Sequence, residues 1–497
     1  MPLDIRTSGI LLHVTSLPSR FGIGDLGPYS YKFIDLLSDI NQRFWSILPL
    51  TSTSLKHGNS PYQPDSAFAG NILLVNPELI VEEGYLRQES IKEVDVSNHG
   101  RVDFDVAVQS KNKIIEKAFQ TVIKDKIHAD DFEDFCNENL EWLEDYALYR
   151  ALVASSGTPW FSWPNQLRDR DEEALIKKRE SLKRQVEYER FAQFLFFEQW
   201  KNLKAYAQKK KVSIIGDMPF YLSYESVDVW THQEIFKLDS EKKPFLVAGV
   251  PPDYFSKDGQ LWGNPVYKWS NQNCIFDWWI KRIAQSLKLV DMLRLDHFRG
   301  FISSWQVPAS NKNAKNGHWV KAASEKFFEL LAKHFGSLPF IAEDLGTITP
   351  KVGQIMTELK LPRMKVLLFA FDGSKNNPYL PANYDKNSVV FTGTHDTNTA
   401  RGWFTEEASI EQKNTLFNVI GKHVEEDNVH WELIKLAQDS IANLSLIPVQ
   451  DILGLGSESR MNRPGASSNN WNWQLTPEQF LSEDFQRFRE ISLNSNR

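Results

Sequence analysis

The stretch that decides the fold is V-D-M-L-R-L-D-H-F-R-G, from Val290 to Gly300. A short apolar run, Asp291–Leu295, stops at the carboxylate of Asp296. Arg294 lies two positions upstream on the same strand face, because side chains alternate along a strand. The pattern recurs in P-F-I-A-E-D-L-G, carrying Glu343, and in S-V-V-F-T-G-T-H-D-T, carrying His395 and Asp396. It occurs earlier in V-S-I-I-G-D-M-P-F, carrying Asp217. Each segment reads as a buried strand closed by an acid.

Further short apolar runs separate helical text. The expected strands are Gly9–Val14, Phe44–Leu48, Val212–Gly216, Asp291–Leu295, Phe340–Ala342, Lys365–Phe371, Ser388–Thr392 and Leu444–Pro448. Short buried strands alternating with helices indicate parallel βαβ units, and eight of them indicate a (β/α)₈ TIM barrel of the α/β class. A doubly wound open sheet is disfavoured, since no Gly-rich phosphate fingerprint follows an early strand.

The spacing implies one catalytic barrel over 1–497 with two insertions. The first, 51–210, follows the second strand and is largely helical. It holds an expected helix over Asp131–Leu152 and an amphipathic one over Tyr188–Ala207, with Tyr188, Phe191, Leu195, Trp200, Leu203 and Tyr206 on one face. The second, 218–288, follows the third strand and reads as a structured loop region with a lid over the barrel mouth. The polar tail beyond Asp484 is expected to fray.

Composition narrows the function. The 497 residues are 41% hydrophobic and 24% charged with a net charge of -7, which excludes the basic footprint of a nucleic-acid binder. The one mixed run, Ile176–Arg184, reads as a solvated helix face. No stretch approaches the roughly 18 apolar residues of a membrane span, and M-P-L-D-I-R-T-S-G is no secretory signal. With Cys136 and Cys274 the only cysteines, there is no disulfide framework, and the expected setting is cytoplasmic. The 16 tryptophans include several in polar text: Trp262, Trp269, Trp471 and Trp473, with Tyr267 beside them. Such rings serve either sugar stacking or core packing, and the residues alone leave both open.

In a TIM barrel, groups at the C-terminal strand ends converge on one mouth. Asp217, Asp296, Glu343 and Asp396 therefore form a candidate site for glycosidic-bond chemistry, which needs an ionised nucleophile and a protonated acid. Arg294 keeps Asp296 ionised; Glu343, with its longer reach and acidic neighbours, suits the acid; Asp396 with His395 suits hydroxyl binding and oxocarbenium stabilisation. A metal cluster of Asp296, His297, Asp344, His395 and Asp396 is disfavoured, because adjacent strand residues face opposite ways. His297 and Asp344 are assigned structural duty.

Longer motifs complete the reading: S-P-Y-Q-P-D-S-A-F-A-G-N from Ser60, G-D-M-P-F-Y-L from Gly216, D-V-W from Asp228, G-V-P-P-D-Y-F-S-K-D-G-Q-L-W-G-N-P-V-Y from Gly249, and R-M-N-R-P-G from Arg460. With the carboxylate segments they resemble, nearly end to end, the 4-α-glucanotransferases called amylomaltases or disproportionating enzymes, glycoside hydrolase family 77 of the α-amylase clan. The resemblance implies a retaining, cofactor-free and metal-free enzyme. Its substrates would be α-1,4-glucans and maltooligosaccharides, with a glucan or glucose as acceptor. It makes Asp296 the nucleophile, Glu343 the acid/base and Asp396 the transition-state stabiliser. Tyr62, Asp217, Arg294, His395 and Asn470 become sugar-site residues, and the segment from Gly249 through Trp262 to Tyr267 becomes a lid over the acceptor side. Asn469 and Gln474 depart from the pattern, which usually has Gly and Arg there; the difference bears on chain-length preference. The carboxylates by themselves serve hydrolysis as well as transfer, and a catalytically silent glucan-binding protein is disfavoured by the intact acid set.

Overall fold

Twelve strands form in the computed structural model, which describes residues 5–97, 100–125, 129–252, 256–346, 348–466 and 468–497. They are β1 Thr7–Leu11, β2 Phe44–Ser46, β3 Ser213–Met218, β4 Leu246–Val250, β5 Gln260–Pro265, β6 Met292–Leu295, β7 Ser303–Pro308, β8 His318–Lys321, β9 Phe340–Ala342, β10 Arg363–Val366, β11 Ser388–Phe391 and β12 Leu444–Pro448. Eight close into a parallel barrel in the order β1-β12-β11-β10-β9-β6-β3-β2. These are the eight runs expected from the sequence. Their alternate residues Phe44, Ile215, Met292, Ile341, Met364, Val389, Phe391, Leu444 and Leu446 fill the barrel interior. The fold is a (β/α)₈ TIM barrel.

Several strand limits differ from expectation, most of all at β1 and β10. The apolar run after Lys365 ends its strand at Val366 and turns at Leu367–Phe369, and the first strand begins at Thr7 and ends at Leu11. Both continuations are buried, and an apolar run does not distinguish a buried strand from a buried turn.

Between β2 and β3 the chain is helical. The long helix Lys183–Lys209 buries Tyr188, Phe191, Leu195, Trp200 and Leu203, the expected face. The helix read over Asp131–Leu152 is two, Ala129–Glu138 and Leu140–Ser156. Asn139 separates them; its amide donates to Phe135 O at 2.9 Å and accepts from Trp142 Nε1 at 3.1 Å, the local bonding with which Asn competes against helix.

The segment after β3 is more ordered than a loop region. β4 and β5 form an antiparallel hairpin, extended by β7 and β8 into a sheet of order β5-β4-β7-β8. Since β7 and β8 follow β6, the sheet draws on a second connection that the sequence reading did not anticipate. Its strands are short and carry or border Pro and Gly, which hides them among turn signals.

The tail does not fray. Helix Asp484–Asn494 buries Phe485 and Phe488. Arg497 is only 7% exposed. Its guanidinium donates to Gln438 O at 2.8 Å, Thr7 O at 2.8 Å, Ser440 O at 3.0 Å and Ala442 O at 2.7 Å. It thereby ties the turn before β12 to the start of β1, where the barrel closes. Arg497→Ala leaves these carbonyls without their donor, at a cost of about 1–3 kcal/mol. Calorimetry is expected to show a melting midpoint lower by a few degrees, with catalytic rate unchanged.

Candidate active site

Strand register builds the site. β3 and β6 pair so that Asp217 lies beside Arg294. Arg294 Nη1 donates to Asp217 Oδ1 at 2.8 Å, to Asp217 Oδ2 at 2.7 Å and to Asp296 Oδ1 at 3.0 Å. One guanidinium nitrogen thus serves two carboxylates on adjacent strands. Burial acts to lower the pKa of Arg294, but Asp217 and then Asp296 outweigh it and hold it well above its ordinary value. The cation is permanent.

Glu343 stands on the neighbouring strand end. Its backbone N–H donates to Leu295 O at 3.1 Å. Its carboxyl accepts from His297 N–H at 2.8 Å and Leu345 N–H at 2.7 Å. His297 reaches this position through a left-handed backbone, φ 47°. The structural duty expected of His297 is therefore to offer its amide to Glu343. Asp344 is turned away and accepts from Met364 N–H at 3.0 Å.

Burial, opposed by Arg294, raises the pKa of Asp296 to about 6 and that of Glu343 to about 7. Asp296 further raises Glu343, while Asp217 and Asp396 raise Asp296; Arg294 hydrogen-bonds to Asp296. Near neutrality the geometry keeps charge on Asp296 and a proton on Glu343.

Asp396 behaves differently. Burial acts to raise its pKa, but His395, hydrogen bonds from His395 and Asn462, and Arg294 hold it well below the usual carboxylate range. Asn462 Nδ2 donates to Asp396 Oδ1 at 2.6 Å, and His395 Nε2 lies 3.3 Å from Oδ2. The side chain stays 47% exposed to the cleft.

Tyr62 joins from the segment after β2. Its hydroxyl donates to Asp217 Oδ2 at 2.7 Å, and its ring stacks on His395 with centroids 4.9 Å apart. Burial and then Asp217 push its pKa well above the ordinary value, so it remains a donor. The motif around Tyr62 is clamped from the helical region and from the segment after β3. Arg150 donates to Asp65 at 3.0 Å, Gln193 exchanges hydrogen bonds with Gly70 at 2.8 and 3.0 Å, and Asp228 accepts from Ala67 N–H at 2.8 Å. A Cβ on Gly70 would lie 2.0 Å from the Phe196 ring.

The remaining expected residues divide. Trp262 on β5 is half-buried and meets the His297 ring edge-on at 4.9 Å, which brings it to the site. Within the segment expected as a lid, Asp253, Tyr254 and Phe255 lie outside the described residues, as does Ser467 in the later loop. Asn470 is spent on its own loop: it accepts from Arg463 N–H and donates to Ala466 O, both at 2.9 Å. Its neighbour Trp471 packs near Tyr62 and His395 at 5.7 and 5.9 Å. Tyr267, Trp269 and Trp473 are buried, so packing is their role. Asn469, where Gly is usual, adopts φ 61°, a left-handed conformation that Asn tolerates. Gln474 is buried and donates to Leu17 O at 2.8 Å.

Sequence reasoning missed Arg460 and Asn462, which hold the loop of His395 and Asp396. Their motif was legible, but nothing in it stated its partner. Among the described residues no group of three His, Cys, Asp or Glu is arranged to hold a metal ion.

Comparison with known proteins agrees with this geometry. The family model described as 4-alpha-glucanotransferase matches residues 12–480. The 4-alpha-glucanotransferase of Aquifex aeolicus (strain VF5) is 45% identical over 482 residues, 97% of this chain and 98% of that one. The 4-alpha-glucanotransferase of Synechocystis sp. (strain ATCC 27184 / PCC 6803 / Kazusa) is 47% identical over 485 residues, 96% of this chain and 95% of that one. The amylomaltase from Streptococcus agalactiae, solved in complex with acarbose, superposes with a TM-score of 0.95 at 36% identity, covering 99% of each chain.

The raised pKa values carry a stability signature. Groups whose folded pKa exceeds the unfolded value stabilise the protein at low pH and lose that contribution as pH rises through the folded pKa. For Glu343 the window runs from the ordinary 4.5 to about 7. The stability of Glu343→Gln relative to the parent is expected to improve across that window, by on the order of 1–3 kcal/mol, as read by denaturant unfolding at several pH values.

Proposed function

Because the chain belongs to the 4-alpha-glucanotransferase family, we propose that its cleft moves a segment of an α-1,4-glucan to the 4-hydroxyl of another glucan or of glucose by a retaining double displacement. The observation that carries this reading is the shared guanidinium. Arg294 holds Asp296 at 3.0 Å as an anion, next to a carboxyl that keeps its proton near neutrality.

In the first step Asp296 attacks the anomeric carbon from one face while Glu343 protonates the departing glycosidic oxygen. The C–O bond to the leaving chain breaks as the ester bond to Asp296 forms, and the leaving chain departs with a free 4-hydroxyl. Glu343 is now a base. It takes the proton from the acceptor's 4-hydroxyl, whose oxygen attacks the same carbon and frees Asp296. Two inversions give net retention. No metal or redox cofactor enters either step.

The supporting groups have matching tasks. Asp396, kept ionised, accepts hydroxyls of the reacting ring and stabilises positive charge developing in the transition state. Asp217, with Tyr62 and Arg294, forms a hydrogen-bonded wall on the other side, and the stacked Tyr62–His395 pair gives the ring an aromatic neighbour. Trp262, on the lid segment, contributes to the acceptor side. Transfer over hydrolysis then depends on a lid and helical insertion that favour a sugar acceptor over water. The acarbose bound by the Streptococcus agalactiae relative supports an α-glucan in this cleft. The division into a barrel with insertions over 51–210 and 218–288 belongs to the same proposal, as does Asn470 as a sugar contact through a rearranged loop. A cytoplasmic setting is proposed as well; no helix of the described residues is long and apolar enough to cross a membrane.

Incubation with maltotriose is expected to yield glucose together with maltopentaose and longer chains. Glucose and maltose without longer products would mean hydrolysis. Asp296→Asn is expected to abolish both while the protein stays folded. The rate should peak between the pKa values of Asp296 and Glu343, about 6 and about 7, because the nucleophile must be ionised and the acid protonated. A pH profile of kcat/KM checks this, and a plateau extending well above neutrality would contradict the assignment.

A further inference from the structure

The R-M-N-R-P-G motif has no role in the chemistry above, yet it makes direct contact with the loop of Asp396. That loop leaves β11 at Phe391 and re-enters helix at Ala400. Asp451, fully buried beyond β12, closes its two ends: one carboxylate oxygen accepts from the Thr392 hydroxyl and the other from Ala400 N–H at 2.7 Å. Between those ends the motif grips the loop's tip. Arg460 Nη2 donates to the Asp396 carbonyl at 2.8 Å, and its Nε donates to Asn462 O at 2.7 Å. Asn462 N–H donates to His395 O at 3.0 Å, and Asn462 Nδ2 donates to Asp396 Oδ1 at 2.6 Å. Arg460 is itself anchored by Glu407, at 2.8 Å, on a single wide turn over Trp403–Glu407. Wide turns of this type recur near functional sites. The same Glu407 oxygen also accepts from Asn398 of the loop at 3.0 Å.

We propose that Asn462, held by Arg460, is a positioning residue that orients the Asp396 carboxylate for the transition state. The inference rests on Asp396 having the role given above. An exposed aspartate side chain rotates freely. Here one oxygen is engaged by Asn462 and the other faces His395, so the plane of the carboxylate is set before a sugar arrives, and one lone pair on each oxygen stays open to the cleft. Orientation prepared in advance acts on the transition state more than on ground-state binding, so its loss lowers kcat more than it raises KM.

The test uses the isosteric Asn462→Asp. It puts a second carboxylate where an amide now donates at 2.6 Å. Two carboxylates at that separation share a proton, and the protonated form donates as the amide does. The groups facing the pair are His395 on the same loop with His13 behind it, Arg294 and Asp296 from β6, Tyr62, and Arg460 backed by Glu407. All are present in both proteins, so a pH dependence of the ratio to wild type reports the added carboxylate, together with the shift its charge imposes on these neighbours. The kcat of Asn462→Asp relative to wild type is expected to fall at least about tenfold between about pH 5 and about pH 9, with KM within about threefold. Asn462→Ala is expected to lose about tenfold or more in kcat with a ratio independent of pH. Melting curves taken alongside identify any variant that fails to fold; should the alanine variant do so, Asn462→Ser replaces it. A flat ratio for the folded Asp variant, with kcat near wild type, overturns the inference. In the same assay an inactive Asp396→Asn shows that the reading of the site survives that result, whereas an active Asp396→Asn overturns the reading itself.

Discussion

One cation shared by two acids governs this site. Arg294 sits between Asp217 on the preceding barrel strand and Asp296 on its own, with all three polar contacts within 3.0 Å. Asp217 has only 3% of its side chain exposed and Arg294 12%, so the group is poorly hydrated. A buried cation flanked by two anions is tolerable only with such close partners; removing either would leave charge uncompensated. The β3–β6 register that brings Asp217 beside Arg294 is therefore both a folding constraint and a chemical one. It also decides which carboxylate carries charge. Asp296 has the guanidinium and Glu343 has only backbone amides, so one proton among the two settles on Glu343.

Everything else at the mouth either aims at this centre or holds something that does. Tyr62 is delivered by a segment that the helical region grips through Arg150, Gln193 and Phe196. Asp396 is delivered by a loop that Asp451, Arg460 and Asn462 grip from the following connection. The barrel supplies strand ends on a rigid frame, and the additions supply the walls. This division is the general logic of TIM-barrel sites, where the frame stays and the connections vary.

Most of this frame was legible in the sequence, for a physical reason. A barrel strand is short, apolar and closed by polar text, so Asp291–Leu295 or Ser388–Thr392 announces both the strand and the residue at its mouth. The acids and Arg294 follow from strand parity. What stayed hidden depends on partners distant in sequence. Asn462 and Asp396 are 66 positions apart, and nothing local in R-M-N declares the contact. Of the antiparallel sheet, β4 and β5 fall in text that reads as a loop region, and β7 and β8 go unanticipated, because these short strands carry or border Pro and Gly. The tail was read as frayed because it is polar, yet Arg497 finds a set of carbonyls that no local pattern predicts. Asn470 is the reverse case: its expected role comes from resemblance, while in this structure its amide bonds to its own loop.

The measurement that tests the central claim most directly is trapping of the covalent intermediate. The Glu343→Gln variant should form the glycosyl ester from an α-maltosyl fluoride, whose leaving group needs no acid, and then stall for want of a base. Peptide mass spectrometry is predicted to find the maltosyl adduct on Asp296. An adduct on Asp217 or Asp396, or turnover of the fluoride with inverted product and no adduct, would contradict the account.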